Sequence, residues 1–252
     1  MKVASTHPRY YSLKTRDRMV KAVSDGIAAP QGLIAHGRGE AFDYILGERT
    51  SRAASTAITA AAASILTADR PVLSVNGNTA ALVGKEMVAL SRIAFAPIEV
   101  NLFHRTLRRE LAISSYLSRL GARNVLGIGG AASQTVRGIA SSRKMLDPAG
   151  IGSADVVLIP LEDGDRAEAL KRVGKTVISI DLNPLSRTSQ TASISIVDNV
   201  IRAVPALIIA VQKMKALSNQ SLERIGKGFD NEKNLRKTIE EIVVYLRGWM
   251  KK

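Results

Sequence analysis

The sequence predicts an α/β fold: a Rossmann-like, mostly parallel sheet of about six strands with helices on both faces, plus N-terminal and C-terminal helical segments. Two observations carry this. Six short runs rich in Val and Ile follow one another from residue 71 onward, and amphipathic stretches separate most of them. Short apolar runs suit strands buried on both faces, and alternation with helices implies right-handed parallel crossovers.

The first seventy residues read as helices. Residues 12–26 carry Met19, Val20 and Val23, followed by Ile27, at helical spacing, with Gly26 as the cap. A short second helix is expected at 40–46, after the glycine-rich Gly37-Arg38-Gly39. The third, 51–66, is rich in alanine, the strongest helix former. The strand candidates are 72–75, 98–102, 125–128, 156–159, 177–180 and 194–197, with helices near 79–93, 105–120, 165–173 and 200–217. Residues 1–218 are read as one catalytic α/β domain, whose first seventy residues are helical and whose Rossmann-like core spans 71–218. Residues 219–252 form a C-terminal helical extension, with Ile239, Ile242, Val243 and Leu246 on one face.

Composition narrows the function. Hydrophobic residues make up 46% of the 252, enough for a sizeable core. The absence of cysteine excludes disulfides, thiolate metal sites and cysteine nucleophiles. Three scattered histidines make no transition-metal site. The N-terminal residues lack a signal-peptide pattern, and the apolar stretch 57–66 is too short to span a bilayer. A soluble cytoplasmic protein is expected. The net charge of +14 attracts polyanions, but aromatics are only 4%, leaving few stacking platforms for single strands. A basic surface serving phosphorylated small molecules is preferred to nucleic-acid binding.

Ligands of open parallel sheets bind beyond the carboxyl ends of the strands. Polar residues collect there: Asn76 after the first run, Asn101, His104 and Arg105 after the second, and Glu162, Asp163 and Asp165 after the fourth. The fifth leads into Asp181, Leu182, Asn183, Arg187 and Thr188, and the sixth into Asp198 and Asn199. Any one of them also serves as a helix cap or turn residue. A P-loop motif is absent. Gly127-Ile128-Gly129-Gly130 is not a full dinucleotide fingerprint, and its glycines read as a tight turn. In the segment 31–44, Arg38 between two glycines offers a phosphate contact at a helix start, beside His36. Glu40 and Asp43 share a helix face there, to bind Mg²⁺, position an amine or pair with Arg38. The stretch 7–12 with Arg16 adds anion-binding groups.

The strings GLIAHGRGEAFDY (32–44), PVLSVNGNTAAL (71–82), IEVNLFHRT (98–106), ADVVLIPLEDGDRAEAL (154–170) and ISIDLNPLSRTSQTASISIVDN (178–199) resemble the archaeal phosphopantothenate synthetase family. The resemblance spans about residues 5 to 215, with GIGGAAS and the tail after 218 outside it. It implies a homodimeric ligase of coenzyme A biosynthesis that uses ATP and Mg²⁺. The carboxylate of 4-phosphopantoate attacks the α-phosphate of ATP, and the amine of β-alanine displaces AMP from the resulting adenylate. The family's ATP contacts fall on Arg16, Arg38, Asp181, Leu182, Asn183, Arg187, Thr188, Asp198 and Asn199. Arg38 and Arg187 would bridge the polyphosphate, Arg16 would hold a terminal phosphate, and Asp181 or Asn183 would bond adenosine. Asn76, Asn101, His104, Arg105 and His36 become candidates for substrate binding. One of Glu40, Asp43, Glu162, Asp163 and Asp165 would bind Mg²⁺ or receive the β-alanine ammonium. Another adenylating ligase and a nucleic-acid binder remain as alternative readings, and no membrane partner is expected.

Overall fold

The computed structural model describes residues 4, 6–7 and 9–251. Three helices, α1 (Tyr10–Ser24), α2 (Pro30–Leu46) and α3 (Arg52–Thr67), precede β1 (Pro71–Val75). Then come α4 (Gly77–Ala94), β2 (Ile98–Val100), α5 (Leu107–Arg119) and β3 (Val125–Leu126). After an irregular excursion, 127–155, follow β4 (Val156–Pro160), α6 (Gly164–Arg172), β5 (Thr176–Asp181), α7 (Arg187–Thr191) and β6 (Ile194–Val197). Three helices close the chain: α8 (Val200–Met214), α9 (Asn219–Lys227) and α10 (Asn231–Trp249).

The six strands are all parallel, in the order β3-β2-β1-β4-β5-β6. The order reverses between β1 and β4, which opens a crevice at their carboxyl ends. Strand side chains alternate between the two faces. Leu73, Val75, Leu158, Ile178 and Ile180 face the large core built with α1, α3, α4, α5, α8 and α9. Val72, Val157, Ile159 and Val177 face a second cluster, made with α6 and the excursion. α3 is deeply buried apart from an exposed edge at Arg52, Ser55, Thr56 and Thr59: Ala54, Ala57, Ala61, Ala62 and Ala63 have no exposed surface. Alanine there lets α3 approach α8, α9 and the sheet closely.

The α/β expectation is met, with local differences. α2 begins at Pro30, ten residues before the expected start, so Gly37-Arg38-Gly39 is helix interior. The backbone N–H groups at Glu40 are therefore spent inside the helix and make no anion cradle. Glycine costs a helix up to about 1 kcal/mol per residue. Here Pro30 sets the first turn, and Gly32 lets Asn78 donate Nδ2 to its carbonyl at 2.9 Å. β2 and β3 are shorter than their apolar runs, ending at Val100 and Leu126. No α-helix joins β3 to β4; the excursion carries an antiparallel ribbon, Gln134–Thr135 with Met145–Leu146. α7 forms where the sequence suggests only loop. Its start is set by the Ser186 hydroxyl, which accepts from Ser189 N.

Acidic side chains pin the excursion. Buried Glu99 accepts from Ile151 N at 2.6 Å and Asp147 N at 3.2 Å. Asp147 accepts from Gly127 N at 3.0 Å, and Glu110 from Gly129 N at 2.7 Å. Those two glycine N–H groups thus serve the protein itself, as the tight-turn reading requires. α10 docks through Asn234, Leu235 and Thr238, and its Glu241 caps the N-terminus of α3 at Ala53 N, 2.9 Å. Ile242 packs as expected, whereas Val243 and Leu246 are exposed, because polar anchors as well as apolar spacing turn the helix. No helix among the described residues is long and apolar enough to cross a membrane.

Candidate active site

A cavity of about 530 Å³ opens at the carboxyl ends of the strands, beneath α2. Its floor comes from the residues after β1 (Asn76, Gly77, Asn78), β2 (Leu102, Phe103, His104), β4 (Leu161, Glu162, Asp163), β5 (Asp181, Leu182, Asn183) and β6 (Asn199). His36, Arg38, Gly39 and Glu40 hang from α2 above it. A single element thus lays one face across the edge that the strand-end loops form.

The polar residues differ in how much of their hydrogen bonding is spent. Asn76 is fully used: Oδ1 accepts from Thr79 N and Oγ1, and Nδ2 donates to Pro160 O at 3.1 Å and Leu161 O at 2.9 Å. It caps α4 and ties β1 to β4 at the crevice. Asn101 is buried away from the cavity and holds the ribbon through Met145 O at 2.9 Å. Arg105 pairs with Glu110 and donates to Gly127 O at 3.1 Å. Thr188 donates to Glu162 O at 2.8 Å. Asp198, buried, joins Thr50 Oγ1 and Arg202, while Asn199 caps α8. Arg187 lies outside the cavity wall, exposed and paired with Glu168.

Of the five acidic candidates, four are committed or absent from the wall. Glu40 accepts from Ser12 Oγ at 2.7 Å and Arg16 Nε at 2.9 Å. Asp43 is turned to Arg202 and Asn199, facing a second cavity between α1 and α2. Glu162 is buried between Arg143 and Arg166. Asp165 lines neither cavity. Asp163, with its side chain 46% exposed, faces the main cavity and pairs with Arg143 Nε at 3.2 Å. Within the stretch 7–12, Pro8 lies outside the described residues.

Burial tunes several groups. It raises the Asp181 carboxyl, against the Ser186 hydroxyl and the nearby Arg38 charge. Burial lowers His36, and its Nε2 is enclosed without a partner. Arg143, a residue the sequence does not single out, reaches the cavity from the excursion and is lowered to about 10 by burial. Arg109 of α5, likewise unanticipated, also lines the wall. Neither lies in a strand-end loop, so the rule for open sheets does not find them. Among the described residues Arg38 has no hydrogen-bond or ion-pair partner, and it points a free guanidinium at the space beside Asp181. Among the described residues no group of three acidic or histidine side chains is placed to hold a metal.

The family model described as phosphopantothenate/pantothenate synthetase matches residues 53–245. The chain belongs to that family. The match runs through the glycine-rich 127–133 stretch and into α10, both of which lie outside the string resemblance. Curated relatives agree across nearly the whole chain. A 4-phosphopantoate–beta-alanine ligase of Thermococcus onnurineus is 46% identical over 248 residues, 98% of this chain and 93% of that protein. One of Methanosarcina mazei is 49% identical over 241 residues, 96% and 94% of the two chains. One of Methanospirillum hungatei is 50% identical over 202 residues, 80% and 82%. This synthetase family is one of enzymes, and the cavity is where an enzyme of this topology binds its ligands.

Proposed function

We propose that the protein is an ATP-dependent ligase joining 4-phosphopantoate to β-alanine, the step giving 4′-phosphopantothenate for coenzyme A. The observation that carries this is identity of 46% over 98% of the chain with a relative of that name. The cavity at the β1/β4 crevice supports it, with Arg38 and the β5 and β6 loops at one end.

In the first step a carboxylate oxygen of 4-phosphopantoate bonds to the α-phosphorus of ATP, and pyrophosphate leaves. In the second the β-alanine ammonium loses a proton, its amine nitrogen bonds to the acyl carbon, AMP leaves and a second proton is released. Two anions must meet in the first step, so preorganised cations supply most of the help. Arg38 has the free guanidinium for this. Asp181, Asn183 and Asn199 line the ATP end. Arg16, now held by Glu40, and Arg187, held by Glu168, act on the polyphosphate only after leaving those partners. His36 lines the cavity wall, with burial lowering its pKa and its enclosed Nε2 unpartnered, and is a candidate for substrate binding.

Mg²⁺ fits in the form that binds chiefly through phosphate oxygens and water with one or two carboxylates. Asp163 is the half-exposed carboxylate in the wall and would hold it. Bound with ATP, the ion would neutralise charge on the polyphosphate. Exposed Val243 and Leu246 on α10, with Met250 just beyond its end, support a homodimer. A cytoplasmic location accords with ATP as substrate. Incubation with ATP, Mg²⁺, 4-phosphopantoate and β-alanine, with the nucleotides separated by chromatography, is the test. AMP formed only with both organic substrates is expected. ADP would overturn the adenylate route, and no turnover would overturn the ligase.

A further inference from the structure

The cavity between α1 and α2 also measures about 530 Å³. Glu40 and Asn199 line both this space and the main cavity, and so form a common wall. In the first step the main cavity must take ATP and the acid together, although its volume is within the range that one drug-sized ligand fills. The amine of the second step needs a place of its own, beside the acyl carbon but outside that space.

The lining of the second cavity suits a small zwitterion. α1 brings Lys14 and Arg18, four residues apart and therefore on one face. Neither meets a carboxylate among the described residues. Lys14 Nζ donates to Tyr10 Oη at 2.8 Å, and Arg18 Nη1 to Leu82 O at 3.3 Å. On the acidic side Asp43 is consumed by Arg202 and Asn199. Glu48 and Glu86 line the second cavity, but of its carboxylates Glu40 alone reaches the main one as well. Glu40, its side chain 13% exposed, holds Ser12 Oγ and Arg16 Nε in the common wall. In the ligase reading Arg16 must leave Glu40 to reach the polyphosphate. Its departure strands a mostly buried carboxylate, which is costly until another cation takes the vacated position. An ammonium group carries that charge and has three donors to replace the Arg16 N–H.

Resting on the ligase reading above, we propose that the cavity between α1 and α2 is the β-alanine site: Lys14 and Arg18 take the carboxylate, and Glu40 takes the ammonium in exchange for Arg16. ATP draws Arg16 away and so opens Glu40 to the amine. β-Alanine then binds after the nucleotide, with its nitrogen in the common wall facing the main cavity.

Two assays separate the steps. Exchange of label between pyrophosphate and ATP, dependent on 4-phosphopantoate and run without β-alanine, reads the first step alone; steady-state turnover reads both. In Arg18→Gln the KM for β-alanine is expected to rise about tenfold, the scale of one charge-assisted contact, with exchange and the KM for ATP within about threefold of wild type. Lys14→Gln, at an exposed position, repeats the test with a second variant. In Glu40→Gln the KM for β-alanine should rise about thirtyfold while exchange persists. A KM for β-alanine within about threefold of wild type in Arg18→Gln or in Glu40→Gln overturns the proposal. Exchange lost in step with turnover also overturns it, since that is the mark of a purely structural tie between the helices. Wild-type protein supplies a further readout. Titration with β-alanine should show tighter binding with ATP present than without it, and equal affinity rejects the exchange of partners at Glu40. Neither exchange nor turnover in wild type would remove the ligase reading itself, whereas normal turnover with unchanged KM values in the variants removes only the β-alanine site.

Discussion

Asn199 donates its Nδ2 to Asp43 Oδ2 at 2.7 Å, joining the end of β6 to α2 across 156 positions of sequence. Arg202 adds two bonds to the same carboxylate, at 2.6 and 3.1 Å, and binds Asp198 as well. The roof of the cavity is thereby fastened to its floor. Asp43→Ala leaves Arg202 and Asn199 facing a void in a largely buried network, where loss of one partner costs about 3 kcal/mol. In a chain of this size that lowers Tm by roughly 8 °C. Thermal unfolding checks it, and a shift under about 1 °C would remove the fastening role.

Arg38 is the opposite case, exposed and with no partner among the described residues, so Arg38→Ala should leave Tm unchanged. Its loss is expected in kcat/KM, by about a hundredfold, or roughly 2.7 kcal/mol of transition-state stabilisation. Comparable activity in Arg38→Ala and wild type would move the polyphosphate contact to another residue.

Glu99 gives a pH signature. Burial raises its carboxyl from 4.5 to about 7, against the two backbone N–H groups of the excursion. Between those values the folded state holds a proton that the unfolded state has lost. The contribution is therefore whole below 4.5 and is lost as pH rises through about 7, on the order of 3 kcal/mol. Denaturant unfolding from about pH 5 to about pH 8 should show this decline, and Glu99→Gln should flatten it. Identical slopes in the two proteins would discard the assignment.

Gly77 permits a close approach at the start of α4. A Cβ there would lie 2.5 Å from Ile27 O and 2.9 Å from Ala28 Cα, both backbone atoms unable to swing aside. Gly77→Ala should destabilise by about 1 to 3 kcal/mol, despite the better helix propensity of alanine. Equal or higher stability, measured by denaturant unfolding, would show that the α1–α2 turn yields.

The strand pattern is legible in the sequence because burial on both faces leaves no position for polar residues in short Val- and Ile-rich runs. The cavity edge is legible too, since the loops that follow those runs must lie at one end of a parallel sheet. Family membership lies in long strings such as 32–44 and 178–199, and the family match bears it out. The start of α2 is not legible, because Gly37-Arg38-Gly39 looks like loop yet lies inside a helix whose first turn is set by Pro30 and whose Gly32 leaves room for Asn78.

The sequence by itself determined the layered α/β architecture, the edge that holds the site and the family. Only the tertiary structure decided which polar side chains there are free. Asn76 is consumed by Leu161, 85 positions away, and Asp43 by Arg202, 159 away, while Arg109 keeps an uncompensated charge beside Gly77. Local periodicity reports which face of an element is buried. Whether a donor on that face is already satisfied depends on atoms that only folding brings within hydrogen-bond range.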